Sequence, residues 1–240
     1  MDPYPLSSDI SPRLHTFRLP TEYRYLSRIP YNRSDLLFLL LHGYGMNAQT
    51  MFSLTLPFLP ESAAIASIQA PNQFYLGQTP ANSTTGYNWG TRAHGDASIA
   101  LHHEMVLRVS TEMRELCGLP RSRTILIGFS QPVGFNYRFA ATFPKEIGGV
   151  IGICGGVPKD WETGTYGHVE APLLHIARDE DEFFPAAVTT DYARKLRTRA
   201  GDVEFHSLPG GHRFPSKGKP IIQQWLIRNF GLTSAADGRP

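Results

Sequence analysis

Unbroken apolar runs alternate along this chain with stretches whose apolar positions recur every three or four residues. Leu36–Leu41 is apolar without alternation, as expected of a strand covered on both faces. Ala64–Gln69, the run from Thr124 to Gly128, Ile147–Cys154, Pro172–Ile176 and Val203–Leu208 read as further strands. Leu101, Met105, Val109, Met113 and Leu116 fall on one helical face, and Gly118 and Pro120 end that helix. Shorter helices are predicted around Gln49–Phe58, from just after Ser130 to about Thr142, over Ala187–Thr198 and over Pro220–Phe230. Near the start, His15, Phe17 and Leu19 alternate, as do Tyr23 and Tyr25, with Pro20-Thr21-Glu22 between them, which predicts an antiparallel hairpin. Residues 71–96 are rich in Pro, Asn, Gly and Thr and read as a long loop of the kind that carries function. Alternating strands and helices predict an α/β fold, a mainly parallel central sheet with helices on both faces. The expected organisation is a flexible arm over 1–12, a single domain over 13–232 and a tail over 233–240.

Composition narrows the function classes. The length of 240 residues suits one α/β domain with a sizeable core. A net charge of +2 with no dense Lys/Arg cluster argues against nucleic acid or acidic membranes as partners. The longest strongly apolar run, Leu36–Leu41, is too short for membrane insertion. Met1-Asp2-Pro3-Tyr4-Pro5 has neither the charged nor the apolar region of a signal peptide. Two cysteines, Cys117 and Cys154, make no disulfide framework, and Cys154 reads as a small core residue. The expectation is a soluble cytoplasmic protein. No zinc-spaced Cys/His cluster, phosphate-binding loop or dinucleotide fingerprint is apparent, so no metal or organic cofactor is expected.

The chemistry concentrates at Ser130. An apolar strand pattern ends at Gly128, the serine follows in Gly128-Phe129-Ser130-Gln131, and a helical pattern begins. This is how the strand–turn–helix elbow of an α/β-hydrolase reads, with the nucleophile at the tip of the turn. A serine hydroxyl needs a base, and the base needs an orienting acid. In that fold the order is Ser, acid, His, each after a strand. The acid candidates cluster in Asp179-Glu180-Asp181-Glu182, and the residues alone do not choose among them. The histidine candidate is His212 in Pro209-Gly210-Gly211-His212, where two glycines permit a tight path. His206 and His175 lie in strand patterns, and His102 and His103 are expected on a solvated helix face. Leu41-His42-Gly43-Tyr44-Gly45 ends an early strand in a turn of the type that supplies one oxyanion amide. The two donors are accordingly assigned to the Tyr44 and Gln131 N–H groups.

Leu-His-Gly-Tyr-Gly, Gly-Phe-Ser-Gln, Asp-Glu-Asp-Glu-Phe-Phe-Pro and Gly-Gly-His resemble the phospholipase/carboxylesterase family of small serine esterases and acyl-protein thioesterases. The likeness runs from about Leu36 to Phe230. It implies that Asp181 is the acid, because the family pattern Asp-x-Asp-x-x-Val-Pro places the catalytic carboxylate at the second Asp. It leaves Asp179 to hold the loop. Tyr87-Asn88-Trp89 is similar to the family's aromatic segment beside the substrate pocket, and simple packing is the other role open to Trp89. Trp89, Phe183 and Phe184 are the expected substrate-binding residues. The stretch from Ile153 to Pro172 is too short for a large cap domain.

The resemblance implies a carboxylesterase acting on small-molecule esters of small or medium acyl chains, with thioesters and lysophospholipids as alternatives. A homodimer is compatible with it. One residue departs from the pattern: Pro132 stands where a glycine is usual. Proline suits the first turn of a helix. It also pushes the residue before it away from α geometry, which would turn the Gln131 N–H out of the oxyanion hole unless the elbow holds Gln131 in place. A non-catalytic ligand-binding homologue of the same fold is the rival reading.

Overall fold

The computed structural model describes residues 17, 19–31, 34–77, 79 and 82–232. The strands are β1 (Tyr25–Arg28), β2 (Leu37–Leu41), β3 (Ala64–Ile68), β4 (Asn72–Leu76), β5 (Thr84–Asn88), β6 (Thr124–Phe129), β7 (Gly149–Ile153), β8 (Leu173–Arg178) and β9 (Val203–Leu208). The helices are α1 (Ala48–Thr55), α2 (Gly95–Cys117), α3 (Pro132–Thr142), α4 (Ala186–Thr189), α5 (Tyr192–Arg197) and α6 (Lys219–Phe230). Among the described residues, seven strands form one sheet in the order β1-β3-β2-β6-β7-β8-β9. Every pairing in it is parallel except β1 with β3.

The unbroken apolar runs are explained by two-sided burial. Leu37, Leu39 and Leu41 point into a core with Leu126 of β6, Val106 and Met113 of α2, and Val133 and Phe139 of α3. Leu36, Phe38 and Leu40 point to the opposite face, against Met51 of α1 and Ile222, Trp225 and Leu226 of α6. Successive strand residues therefore enter different cores, and no position along Leu37–Leu41 is left for a polar side chain. Parallel strands with right-handed crossovers bring the ends of β2, β6, β8 and β9 to one side of the sheet, where the functional loops lie.

Five expectations change. The N-terminal hairpin is replaced by β1 pairing antiparallel with the outer edge of β3. Phe17 and Leu19 are exposed and lie in no strand. His15, the 1–12 arm and the 233–240 tail lie outside the described residues. The long loop over 71–96 contains an antiparallel β4–β5 pair, with Phe74 opposite Gly86. Its aromatic and β-branched residues were the available signal. Leu116 is 62% exposed, and Cys117 and Leu119 pack against the core in its place. The helix over 187–198 is two pieces, interrupted by Thr190 and Asp191; the Asp191 carboxylate pairs with Arg194 and Lys195 instead of continuing the first helix.

The fifth change concerns His102 and His103, which face inward. His102 is wholly buried and its Nε2 meets the Asn136 Oδ1 at 3.1 Å. His103 lies edge-on to Phe139 and Phe143. Two rings this polar enter the core because α3 offers them an amide and aromatic rings. Residues between β7 and β8 form no helix in the described structure. Arg199 instead pins that stretch, donating to the carbonyls of Trp161, Glu162, Gly164 and Tyr166.

Burial drives the buried imidazoles toward neutrality. His103 is pushed down to about 4 and His175 to about 3, while His102 also falls well below its ordinary value. The unfolded chain binds protons at these groups below about pH 6.5 and the folded chain does not. Stability is therefore full above about pH 6.5 and falls as pH drops toward 4, by up to about 1.4 kcal/mol per pH unit for each histidine. Urea midpoints measured across that range should decline toward acid, and His103→Phe should flatten the decline; an unchanged slope in the variant would contradict this account.

Candidate active site

Ser130 ends β6 in the left-handed region, at φ 64°. Its N–H donates to the Ile153 C=O at 2.8 Å, which fixes the turn to the end of the neighbouring strand. The chain then enters α3 within two residues. That closeness explains the glycine two positions before the serine: a Cβ on Gly128 would stand 2.7 Å from the Asn136 amide and 3.3 Å from the Val133 nitrogen. A non-glycine residue at positive φ is uncommon and clusters at functional sites.

The acid and histidine loops reach Ser130 from the ends of β8 and β9. The His212 Nε2 stands 2.9 Å from the Ser130 Oγ, and its Nδ1 stands 2.8 Å from the Asp181 Oδ2. Asp181 is 2% exposed. Its other oxygen, Oδ1, accepts the Phe183 and Phe184 N–H groups, each at 2.9 Å. A carboxylate held this way accepts the Nδ1–H of His212, so Nε2 is the acceptor that faces the serine hydroxyl. The carboxylates left open by the residues alone are separated by direction. Asp179 accepts the Gly210 N–H at 2.8 Å, and Glu182 accepts the His212 N–H at 3.1 Å. Both hold the histidine loop by its backbone. Gly210 has φ 117°, and a Cβ there would collide with the Arg178 guanidinium, so glycine is required at this turn.

The turn after β2 carries Tyr44. The His42 ring beneath it is buried, and burial lowers its pKa to about 4. The Ala70 N–H donates to the His42 Nε2 at 3.0 Å, so the hydrogen sits on Nδ1, which donates to the Gly43 C=O at 2.8 Å. That carbonyl belongs to the same peptide plane as the Tyr44 N–H. Gripping one end of the plane orients the other. Among the described residues neither the Tyr44 nor the Gln131 N–H has a protein acceptor.

Gln131 has φ −50° and ψ −48°. The α geometry is retained in front of Pro132, and the elbow prevails over the local preference. Its side chain has a role absent from the sequence reading. Oε1 accepts the Trp89 N–H and Nε2 donates to the Gly90 C=O, both at 2.9 Å. The sequence signal was the glutamine of Gly-Phe-Ser-Gln, read only for its backbone.

Trp89 does not line a pocket. It has no exposed surface, and its indole N–H donates to the His42 C=O at 2.7 Å. The ring packs against His42 and His102. The expected substrate contact is thus corrected to a support beneath the Tyr44 turn. Phe183 is 69% exposed, with its ring edge-on to His212 at 4.9 Å between centroids, and Phe184 lies 5.9 Å from the same ring. Phe129 flanks His212 from the interior at 5.3 Å. On the outer side, the Tyr44 ring packs at a tilt against Phe74 of the β4–β5 pair, 4.8 Å between centroids. The pair is tied to the Tyr44 turn by the Gly45 N–H to the Tyr87 C=O, 2.9 Å.

The phospholipase/carboxylesterase family model matches residues 30–228. The chain belongs to this family. A curated relative, acyl-protein thioesterase 1 from Eremothecium gossypii, is 25% identical over 178 residues, covering 68% of this chain and 74% of its own length. The crystal structure of esterase PE8 superposes with a TM-score of 0.70 at 21% identity, covering 87% of this chain and all of that one. The Bacillus cereus carboxylesterase superposes with a TM-score of 0.70 at 15% identity, covering 87% and 95%. At these identities the likeness shows the α/β-hydrolase fold, here without a large cap. No helix among the described residues is long and apolar enough to cross a membrane.

Trp89→Phe tests the corrected placement within this family member. It leaves the His42 C=O without its indole donor and opens a small void, and should cost about 1–3 kcal/mol in urea unfolding. The ranking of p-nitrophenyl acetate, butyrate and octanoate should stay as in the parent protein. A changed ranking with unchanged stability would return Trp89 to the substrate pocket.

Proposed function

We propose that the protein is a serine hydrolase that cleaves carboxylic esters of small or medium acyl chains through an acyl-enzyme on Ser130. The observation that carries this reading is the continuous hydrogen-bonded line from the Ser130 Oγ through His212 to the buried Asp181. The Ser130 Oγ attacks the ester carbonyl carbon as its proton passes to the His212 Nε2. The carbonyl π bond opens and its electron pair moves onto oxygen, which faces the Tyr44 and Gln131 N–H groups. Asp181 stabilises the imidazolium without taking its proton. When the tetrahedral species collapses, His212 protonates the departing alkoxide and the acyl group remains on Ser130. Water then attacks with His212 as base, the acid leaves, and the serine regains its proton.

Phe183 and Phe184 stand beside His212 and are the apolar surface proposed to meet the substrate. The two free thiols, Cys117 and the buried Cys154, fit a reducing cytoplasmic setting. A thioester is the second substrate class, favoured by the relative named as an acyl-protein thioesterase. The same steps apply, with a thiolate as the leaving group. The non-catalytic rival rested on Pro132, and the α geometry of Gln131 speaks against it.

Hydrolysis of the p-nitrophenyl ester series by the purified protein should vanish in Ser130→Ala. It should fall by about 10⁴ in Asp181→Asn, where the wrong His212 tautomer is held. A fluorophosphonate should label Ser130 in the parent protein alone. Equal near-background rates in parent and Ser130→Ala, without labelling, would end the esterase reading.

A further inference from the structure

Pro132 raises a specific physical problem. The clash between a proline ring and the preceding residue disfavours α geometry at that residue, yet Gln131 sits at φ −50° and ψ −48°. If Gln131 moved to the extended region, its ψ would turn the peptide that follows; with α3 packed in place, the compensating rotation falls on the peptide between Ser130 and Gln131, and its N–H leaves the oxyanion site. Something must hold Gln131 against the local preference. The first turn of α3 contributes one long bond across Gln131, from the Val133 N–H to the Ser130 C=O at 3.2 Å, and the Gln131 side chain makes no capping bond to α3.

The holding force has a visible source. The Gln131 carboxamide makes two hydrogen bonds to one short backbone segment, accepting from the Trp89 N–H and donating to the Gly90 C=O. The segment is itself fixed. Trp89 is wholly buried, donates to the His42 C=O, and packs against His42 and His102. A Cβ on Gly90 would stand 2.4 Å from the Ser98 side chain, so α2 abuts the same segment. A side chain anchored at both polar atoms of its amide leaves its own backbone few dihedrals free. The anchor also joins the two amides of the oxyanion site, because His42 carries the Tyr44 turn on the other side of Trp89.

We propose that the Gln131 side chain is a positioning group that keeps the Gln131 N–H aimed at the oxyanion despite Pro132, so that the glutamine clamp and the proline are energetically coupled. The proposal rests on the esterase reading for its activity readout. It assigns Gln131 a second role through its side chain, distinct from the backbone donor.

A double-mutant cycle tests it: parent, Gln131→Met, Pro132→Ala, and the two together. Alanine keeps the helical position and removes the pre-proline clash. With Pro132 present, Gln131→Met should lower kcat by about 10²-fold, the scale of one lost oxyanion donor, with KM little changed. In the Pro132→Ala background the same substitution should lower kcat by only about 3-fold, a coupling visible as non-additivity. Gln131→Leu also removes both bonds without adding charge, and it carries the cycle if Gln131→Met does not fold. An equal loss in both backgrounds would overturn the proposal. A parent protein with no turnover and no fluorophosphonate labelling would instead defeat the esterase reading. The clamp would then be judged on a crystal structure of Gln131→Met, where residue 131 must leave the α region; unchanged φ and ψ would overturn it.

Discussion

The left-handed turn at Ser130 is the constraint on which the rest of the site depends. A serine at φ 64° is strained, and it persists because the surrounding backbone leaves no alternative path. Its N–H is held by the end of β7, and α3 starts too close to β6 and β7 for the chain to take a wider bend. Gly155 shows how close: a Cβ there would lie 2.3 Å from the Val133 Cβ and 2.5 Å from the Ser130 carbonyl oxygen. The strain is offset by the apolar layer that clamps α3 to the sheet through Val133, Tyr137, Phe139 and Ala140. Packing energy gathered far from the site thus holds Ser130 in a conformation the isolated segment would avoid.

The histidine reaches the serine by a different physical route. Its loop is attached to the acid loop, edge to edge, like a short continuation of the β8–β9 pairing. The Asp179 N–H donates to the Leu208 C=O, the Glu180 N–H donates to the Gly210 C=O, and the Asp179 and Glu182 carboxylates accept the Gly210 and His212 N–H groups. Only Asp181 turns inward to the ring. The acidic run therefore divides its labour by direction, with the Asp179 and Glu182 carboxylates on histidine-loop amides and the buried Asp181 on the imidazole. This eases a charge density that would otherwise repel itself: Asp179 and Glu182 are each met by an amide donor, and the buried Asp181 pairs with the ring.

The layers of the sheet were legible because two-sided burial leaves a plain sequence signature in Leu36–Leu41 and Thr124–Gly128. The elbow was legible because backbone strain demands particular residues. What was not legible depended on partners distant in sequence. His102 and His103 read as solvated because helical periodicity does not reveal that Asn136 and two phenylalanines of the α3 region wait inside. Trp89 read as a pocket residue because an aromatic beside a site serves either role until burial is known. The β4–β5 pair was hidden by glycine, asparagine and proline, which signal turns but not the strands between them. The choice of Asp181 over Asp179 needed family likeness, since the two differ in direction and not in composition.

The oxyanion side combines these lessons. Both assigned donors are backbone amides, so substitutions at Tyr44 or Gln131 leave an N–H in place, and what aims each amide is the set of groups that holds its peptide. His42 does this on one side through the Gly43 C=O, and Trp89 braces His42. The brace holds while the His42 ring stays neutral, because a proton on Nε2 would oppose the Ala70 N–H. With its pKa lowered to about 4 by burial, that neutrality extends through the range in which a catalytic imidazole must exchange protons. The same residue type thus serves two incompatible needs. In the proposed mechanism His212 works beside the Asp181 carboxylate, whereas His42, sealed under Trp89 with only amide and carbonyl partners, stays neutral. Burial and the Asp181 carboxylate together separate the two rings.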